Sequence, residues 1–157
     1  MKIKIILLLV IAIPYYCKAQ SGDFKKTQLK KDIAMYTCQF LAGSADGVNQ
    51  AVVHHYLGMG NKFWDFQTSW KNKYRNYDKG DLRAAFFGSK SITVCFTDGF
   101  HLTRAIDRTF TTGSIAIALS EKNSLKQIVK KVIIFSLINR AGFVLFFNVI
   151  YPRRGDD

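Results

Sequence analysis

The sequence predicts an all-α protein: a membrane-associated bundle of three to four helices, with a long aromatic and basic loop between the first and second helices. Apolar residues recur at steps of three and four along much of the chain. The last apolar run, Val132 to Tyr151, has the roughly 20 residues that cross a bilayer core. Hydrophobic residues make up 48% of the 157 residues, yet Glu121 is the only glutamate. Because glutamate normally occupies exposed helix faces in soluble proteins, a membrane or a partner surface covering these helices would account for its scarcity.

Residues 1–19 have the composition of a signal peptide for export. Lys2 and Lys4 precede an apolar run from Ile5 to Tyr16, which is too short to span a bilayer comfortably. Ala19 supplies a small residue before a cleavage point at Gln20. We therefore expect a signal peptide at 1–19 and a single helical domain at 20–157, located in the cell envelope. An uncleaved anchor is the alternative.

The net charge of +12 favours an anionic partner. The sequence contains no nucleic-acid recognition motif, and an exported chain seldom meets nucleic acid, so we expect membrane lipid as the partner. Removal of the signal peptide leaves Cys38 and Cys95. An oxidising compartment permits a disulfide between them, but the spacing is no strong signal, and free buried thiols are favoured.

The first helix is predicted over residues 32–57, where apolar side chains follow the helical period: Ile33, Tyr36, Phe40, Leu41, Val48, Val52 and Tyr56. Gly43 and Gly47 interrupt it, and small residues at this spacing either let another helix approach closely or mark a local kink. Gly58 and Gly60 are expected to end the helix.

The segment 61–81 is predicted to be the long loop, and its mixture of Trp, Tyr, Phe, Lys and Arg is typical of a membrane interface. A surface that stacks sugars or bases would have a similar composition. A second helical region is predicted over 86–119, broken between Ile106 and Phe110. A polar turn, 121–131, leads to the third region, 128–151, with Ser124 as a candidate N-cap.

Asp98 and His101 are the first pair of residues that suggests chemistry. They stand three residues apart, so on a helix their side chains share one face. The carboxylate could orient the imidazole as a general base, or both could bind a divalent metal. The same pair is also common as a buried hydrogen bond with no catalytic role.

A second polar group lies in the first helix. Asp46, Gln50 and His54 recur at four-residue steps and form one stripe, whereas His55 points about 100° away from His54. Helical geometry therefore selects His54 as the histidine that accompanies Asp46.

Arg140 lies near the middle of the last apolar run, where a guanidinium is costly unless it faces a carboxylate, an anion or water. Asp46 and Asp98 are the expected carboxylates. A phosphate or lipid headgroup held by Arg140, Arg104 and nearby lysines is the alternative.

Two hypotheses about function follow. In the first, these residues converge on one site, with Asp98, His101 and Arg140 as catalytic residues; the ligand is a divalent metal or an anionic, lipid-like molecule, and a hydrolase is one outcome. The metal ligands would be Asp46, Asp98, His101 and one histidine of the first helix, His54 or His55, a set that suits zinc, iron or manganese. In the second, the protein is a non-enzymatic envelope component and the same residues hold helices together. The sequence has no H-E-x-x-H, G-x-S-x-G or C-x-x-C motif to decide between them.

Four stretches carry a resemblance: SADGVNQAVVHHY, FWDFQTSWKNKYRN, FFGSKSITVCFTDGFHL and INRAGF. Over about residues 41–151 the chain resembles a family of small, uncharacterised bacterial membrane or envelope proteins. The resemblance implies no activity. Its H-Y element falls on His55-Tyr56, so it selects His55 rather than His54, and Phe100 stands where such proteins often have Trp.

Overall fold

A computed structural model describes residues 23–55, 61–81, 83–121 and 123–153, with side chains from residue 26 onward. Three α-helices make up most of it: α1 (Asp23–His54), α2 (Gly99–Leu119) and α3 (Leu125–Val144), which continues as a π-helical segment, Leu145–Ile150. Short 3-10 turns occur at Ser69–Lys73, Arg75–Tyr77 and Val94–Phe96. The described residues form no β-strand, and the prediction of an all-α fold is confirmed for them.

Helix α1 lies between α2 and α3. Its contacts with α2 run in opposite directions along the two chains, since Gln39 bonds to Ser114 and Asn49 to Thr103. Its contacts with α3 run in the same direction, since Tyr36 meets Phe135 and His55 meets Tyr151. The order is therefore up, down and up, with α2 antiparallel and α3 parallel to α1.

Helix boundaries differ from the prediction where a polar side chain caps the helix. Residues 86–98 are not helical along their length, because α2 begins only after Asp98, whose carboxylate accepts a hydrogen bond from the backbone N–H of His101. Helix α2 then runs unbroken through Ile106 and Phe110. Ser124 caps α3 as predicted, in a capping box with Gln127, so the helix begins at Leu125.

Glycines set the close approach of α1 to α3. A Cβ added at Gly43 would overlap the carbonyl oxygen of Asn139, and one at Gly142 would overlap that of Phe40. A Cβ at Gly47 would lie 2.7 Å from the carbonyl oxygen of Phe143. Helix α1 continues through Gly43 and Gly47 without interruption, so these residues permit backbone contact, the first of the two predicted alternatives.

The interior between the helices is made of small and polar residues. The buried hydrophobic residues are Met35, Ala42, Ala45, Ala51 and Val52. Among the described residues, the buried polar ones are Gln39, Ser44, Asn49, Thr103 and Ser114 on the helices, and Ser69, Ser89, Thr97 and Asp98 in the segment between α1 and α2. Many large hydrophobic side chains are exposed instead, among them Phe87, Ile92, Leu125, Val132 and Leu137. Large apolar side chains at the surface and small or polar ones inside are unusual, because large apolar residues are normally among the most buried.

Several predicted features lie outside the described residues: the signal peptide at 1–19 and the helix-ending Gly58 and Gly60. Cys38 and Cys95 are both free and half-buried, so the structure contains no disulfide between them.

Candidate functional site

Asp98 and His101 form a tightly bonded pair at the start of α2. The Asp98 carboxylate is 1% exposed, and its two oxygens lie 2.9 and 2.8 Å from Nδ1 of His101. Thr97 donates a hydrogen bond to the same carboxylate at 2.9 Å. The imidazole itself is 36% exposed. Because the pair uses Nδ1, any ligand or proton transfer at this histidine would use Nε2.

The segment between α1 and α2 folds against this pair, and we call residues 61–98 the aromatic cap. Its backbone is tied to α2 by a hydrogen bond from the N–H of Gly99 to the carbonyl of Phe63, 2.7 Å long. The ring of Trp64 fills the space where a side chain at position 99 would otherwise lie. The Asn72 amide donates to the carbonyls of Lys62 and Thr97, both at 2.7 Å. One local structure around Asp98 is therefore built by Phe63 and Trp64, by residues 69–74 (SWKNKY) and by residues 97–99 (TDG).

His55 is placed by α3 rather than by the Asp98–His101 pair. Its Nδ1 lies 2.6 Å from the carbonyl oxygen of Tyr151, and its ring stacks on Phe147 with centroids 4.2 Å apart. His54, the last residue of α1, is exposed. Because the regular helix ends at His54, helical spacing does not predict the direction of the His55 side chain. Of the two histidines, His55 is the one that contacts another helix.

Asp46 lies on the α2-facing part of α1, close enough to Asp107 for their charges to repel. It takes part in no ion pair between described residues. Asp98, its predicted companion in a metal site, precedes the start of α2. That start contacts α1 at Asn49, closer to the end of α1 than Asp46.

Arg140 is exposed, and its guanidinium lies over the ring of Phe143, 4.8 Å from the centroid. The ion pairs among the described residues do not include it. The expected pairing with Asp46 or Asp98 is therefore not present. Helix α1 lies between α3 and α2, and the Asp98 carboxylate is already occupied by Thr97 and His101.

The four proposed metal ligands do not assemble. No group of three or more His, Cys, Asp or Glu side chains with a metal-binding arrangement occurs in the part of the chain that the structure describes. Of the predicted set Asp46, His55, Asp98 and His101, the structure brings together only Asp98 and His101. The predicted catalytic group is likewise separated, because Arg140 is on the outer side of α3.

Sequence reasoning missed the residues that join the helices. The Gln39 amide donates to Ser114 at 2.5 Å, and the Asn49 amide donates to Thr103 at 2.7 Å and to the Phe100 carbonyl at 3.0 Å. Amides spaced along an otherwise apolar helix were a usable signal, because a buried amide needs a partner.

Glu121 is the second missed residue, and it joins all three helices at the opposite end from Asp98. It accepts hydrogen bonds from Gln28 of α1 (2.7 Å), from Lys131 of α3 and from Asn123 in the α2–α3 turn. Lys131 also lies 3.6 Å from Asp32. Burial raises the pKa of Glu121, but the hydrogen bonds from Lys131 and Gln28 outweigh it and hold the pKa below its ordinary value.

Comparison with known proteins adds no assignment: no family model, curated protein or solved structure matches the chain.

Proposed function

We propose that this protein is a non-enzymatic component of the cell envelope, embedded in a lipid membrane through α3, with buried polar side chains that join its helices into a bundle. The main observation in support of this proposal is that the most apolar helix is exposed. Leu125–Ile150 is 26 residues long, its most apolar 18-residue window has a mean hydropathy of 1.9, and 6% of that window is buried inside the protein.

Exposure of this helix to water would be unfavourable. Leu137 is 67% exposed, and Val132 and Ile133 are each 55% exposed. Apolar surface left in water forgoes about 25 cal/mol per Å², and a helix that is apolar around its circumference is normally buried or lies in lipid. At 1.5 Å per residue, an α-helix as long as Leu125–Ile150 is about 39 Å long, enough to cross a hydrocarbon core of about 30 Å.

The contacts between α1 and α3 suit a lipid surrounding. Lipid gives two apolar helices no hydrophobic reason to associate, so small residues and interhelical hydrogen bonds hold them together. Gly43 and Gly142 provide backbone contact, and the Asn139 amide lies 3.4 Å from two acceptors on Gln39.

Both ends of α3 carry side chains that favour a membrane interface. Lys126, Lys130 and Lys131 lie near its start, and Tyr151 and Arg153 follow its end. Aromatic and basic residues at these positions anchor a helix at the headgroups.

The aromatic cap lies toward the second of these ends, because it packs on the start of α2, which bonds to Asn49 near the end of α1. Phe87, Ile92 and Phe96 project from the cap with exposures of 92%, 84% and 66%. These exposed apolar side chains of the aromatic cap would therefore contact the membrane interface.

Alkaline carbonate washing of membranes from cells that make the full chain tests the proposal. We expect the protein to stay in the pellet, and an Ile133→Lys, Leu137→Lys variant to be released in larger part. A Thr109→Lys, Thr112→Lys variant, which adds the same charge on exposed positions of α2, is the matched control and should stay. Release of the unaltered protein into the supernatant would contradict membrane insertion.

The composition of residues 1–19 supports the proposed envelope location, and the export that it predicts is tested separately. The mature chain is expected to begin near Gln20, which intact-mass measurement of the purified protein would establish. A mass that includes residues 1–19 would favour the uncleaved anchor instead.

A second function is favoured by the Asp98–His101 geometry, in which a buried carboxylate orients a partly exposed imidazole. Such a histidine can act as a general base or contribute to a metal site. Elemental analysis of the purified protein would test the metal version: a stoichiometric divalent ion should be lost on His101→Ala and kept on His54→Ala. Purified protein without metal would contradict the metal site and leave the general-base role for this pair.

A further inference from the structure

A polar cleft of about 610 Å³ lies at the end of the molecule opposite the aromatic cap. The first half of α1, the α2–α3 turn and the first turns of α3 form its walls. The side chains that matter for its chemistry are Lys31, Asp32, Ser120, Glu121, Lys130 and Lys131.

The two acidic groups in the cleft are already neutralised in part. Lys131 lies against Glu121 and also 3.6 Å from Asp32, and Glu121 accepts further hydrogen bonds from Gln28 and Asn123. Because both carboxylates already have partners within the protein, we do not expect them to bind a cation.

Two cations in the cleft are not used in this way. Lys31 and Lys130 take part in no ion pair between described residues. The ammonium group of Lys31 lies 3.4 Å from the hydroxyl of Ser120. The Lys31 ammonium and the Ser120 hydroxyl beside it, together with Lys130 on the wall of the same cleft, suit the oxygens of a phosphate, which accepts charge-assisted hydrogen bonds.

The surroundings of the cleft favour an anion that belongs to a membrane lipid. Lys26, Lys30 and Lys126 are exposed at the same end of the molecule. Clusters of lysine beside an apolar helix attract anionic lipid headgroups.

The wall of the cleft changes from polar to apolar along α3. Tyr36 and Ile134 line it beside the charged groups, and Leu137, which is 67% exposed, lies about one turn beyond Ile134 on the same side of α3. A lipid whose phosphate enters the cleft could therefore place its acyl chains along the apolar surface of α3. A soluble phosphate compound has no acyl chains to contact that surface.

We propose that this cleft binds the phosphate of an anionic phospholipid, with Lys31, Lys130 and Ser120 as its ligands. The inference rests on the proposed membrane location of α3 and identifies the lipid that the protein recognises. It assigns a binding site at the opposite end of the molecule from the Asp98–His101 pair.

The test uses the full chain purified in a nonionic detergent and titrated by calorimetry with short-chain phosphatidylglycerol. Short-chain phosphatidylcholine and inorganic phosphate are the comparison ligands. We expect phosphatidylglycerol to bind more tightly than either. Lys31→Gln with Lys130→Gln should weaken that binding about tenfold or more, because charge-assisted hydrogen bonds to the phosphate are lost.

The matched control is Lys30→Gln with Lys126→Gln, which removes the same charge outside the cleft and should change the dissociation constant much less. Equal losses in the two variants would overturn the site in favour of general attraction to a basic surface. Inorganic phosphate that binds as tightly as phosphatidylglycerol would overturn the lipid assignment, as would equal binding of phosphatidylcholine. Since the titration is done in detergent, its failure is distinguishable from release of the protein by carbonate.

Discussion

Helices α1 and α3 run side by side in the same direction, yet the more polar of the two is the buried one. Helix α1 contributes Gln39, Ser44 and Asn49 to the interior. Helix α3, which is far more apolar, contributes one buried residue, Gly142, among its described residues. In water the opposite arrangement would be expected, because burial of apolar area is the dominant favourable term in folding.

The difference indicates what selects the contacts in this protein. Side-chain size and hydrogen bonding, rather than apolar area, decide which faces meet. Gly43 meets the backbone of α3, and Gln39 and Asn49 bond to α2. The apolar surface of α3 is left to its surroundings, for which lipid is the proposed partner.

Arg140 is the charged residue within the apolar run 132–149 of α3 and its continuation, and its replacement should have the largest effect. Arginine near a bilayer centre costs about 2.5–3.5 kcal/mol on insertion scales, whereas leucine is slightly favourable. Arg140→Leu should therefore favour insertion by roughly 3 kcal/mol and raise the fraction of full-length protein that resists extraction by urea at high pH.

Arg153→Leu, beyond the helix, is the control and should change retention little. Weaker retention of Arg140→Leu would break the comparison, because it would mean that Arg140 holds a partner or an anion rather than facing lipid chains.

Gly43 and Gly113 provide the next test, since both are helical glycines with opposite surroundings. A Cβ at Gly43 overlaps the backbone of α3, whereas a Cβ at Gly113 meets nothing within 4 Å. Gly43→Ala should destabilise the protein by about 1–3 kcal/mol through overpacking. Gly113→Ala should stabilise it by up to about 1 kcal/mol through helix propensity.

Thermal unfolding of both variants in detergent measures the difference. Changes of the same sign and size would show that the contact between α1 and α3 does not depend on backbone approach.

Glu121→Gln should give the smallest effect, about 1 kcal/mol, because the glutamine oxygen can still accept hydrogen bonds from Gln28 and Lys131, and Lys131 keeps Asp32 as a second partner. The folded protein holds the pKa of Glu121 below its ordinary value of 4.5. Its contribution to the free energy of unfolding is therefore present above about pH 4.5 and is lost as the pH falls through the lower pKa of the folded state.

Unfolding of the unaltered protein and of Glu121→Gln, measured between pH 6 and pH 3, would reveal this contribution. The variant should be less stable at pH 6, and the gap should narrow toward pH 3. If the difference in unfolding free energy widened on acidification, the ionised Glu121 carboxylate would not be the group that joins the three helices.

Much of the helical content was predictable, and most of the site geometry was not. The period of apolar residues located α3 and most of α1, and Ser124 identified the start of α3, but α1 begins at Asp23, nine residues before the predicted start at 32. The start of α2 was misjudged because residues 86–98 are apolar enough for a helix, while Asp98 caps the helix only at its own position. A capping side chain was thus a better guide to the boundary than hydrophobicity.

The candidate site was predictable only at short range. Asp98 and His101 are three residues apart, and their contact follows from local geometry. The expected convergence of Asp46, His55 and Arg140 depended on which helices are neighbours, which spacing along the chain does not encode. Because α1 separates α2 from α3, Arg140 lies over Phe143 and His55 bonds to Tyr151.

By itself the sequence determined the helical class, the apolar length of α3 and the Asp98–His101 contact, because periodicity, run length and three-residue spacing are local properties of a chain. Only the tertiary structure decided that α1 is the central helix and that α3 faces outward. Those outcomes depend on Gly43 fitting against the Asn139 backbone and on Gln39 and Asn49 reaching partners 75 and 54 residues away. Such contacts join residues far apart in sequence, and their selection requires the shape of the whole packed chain.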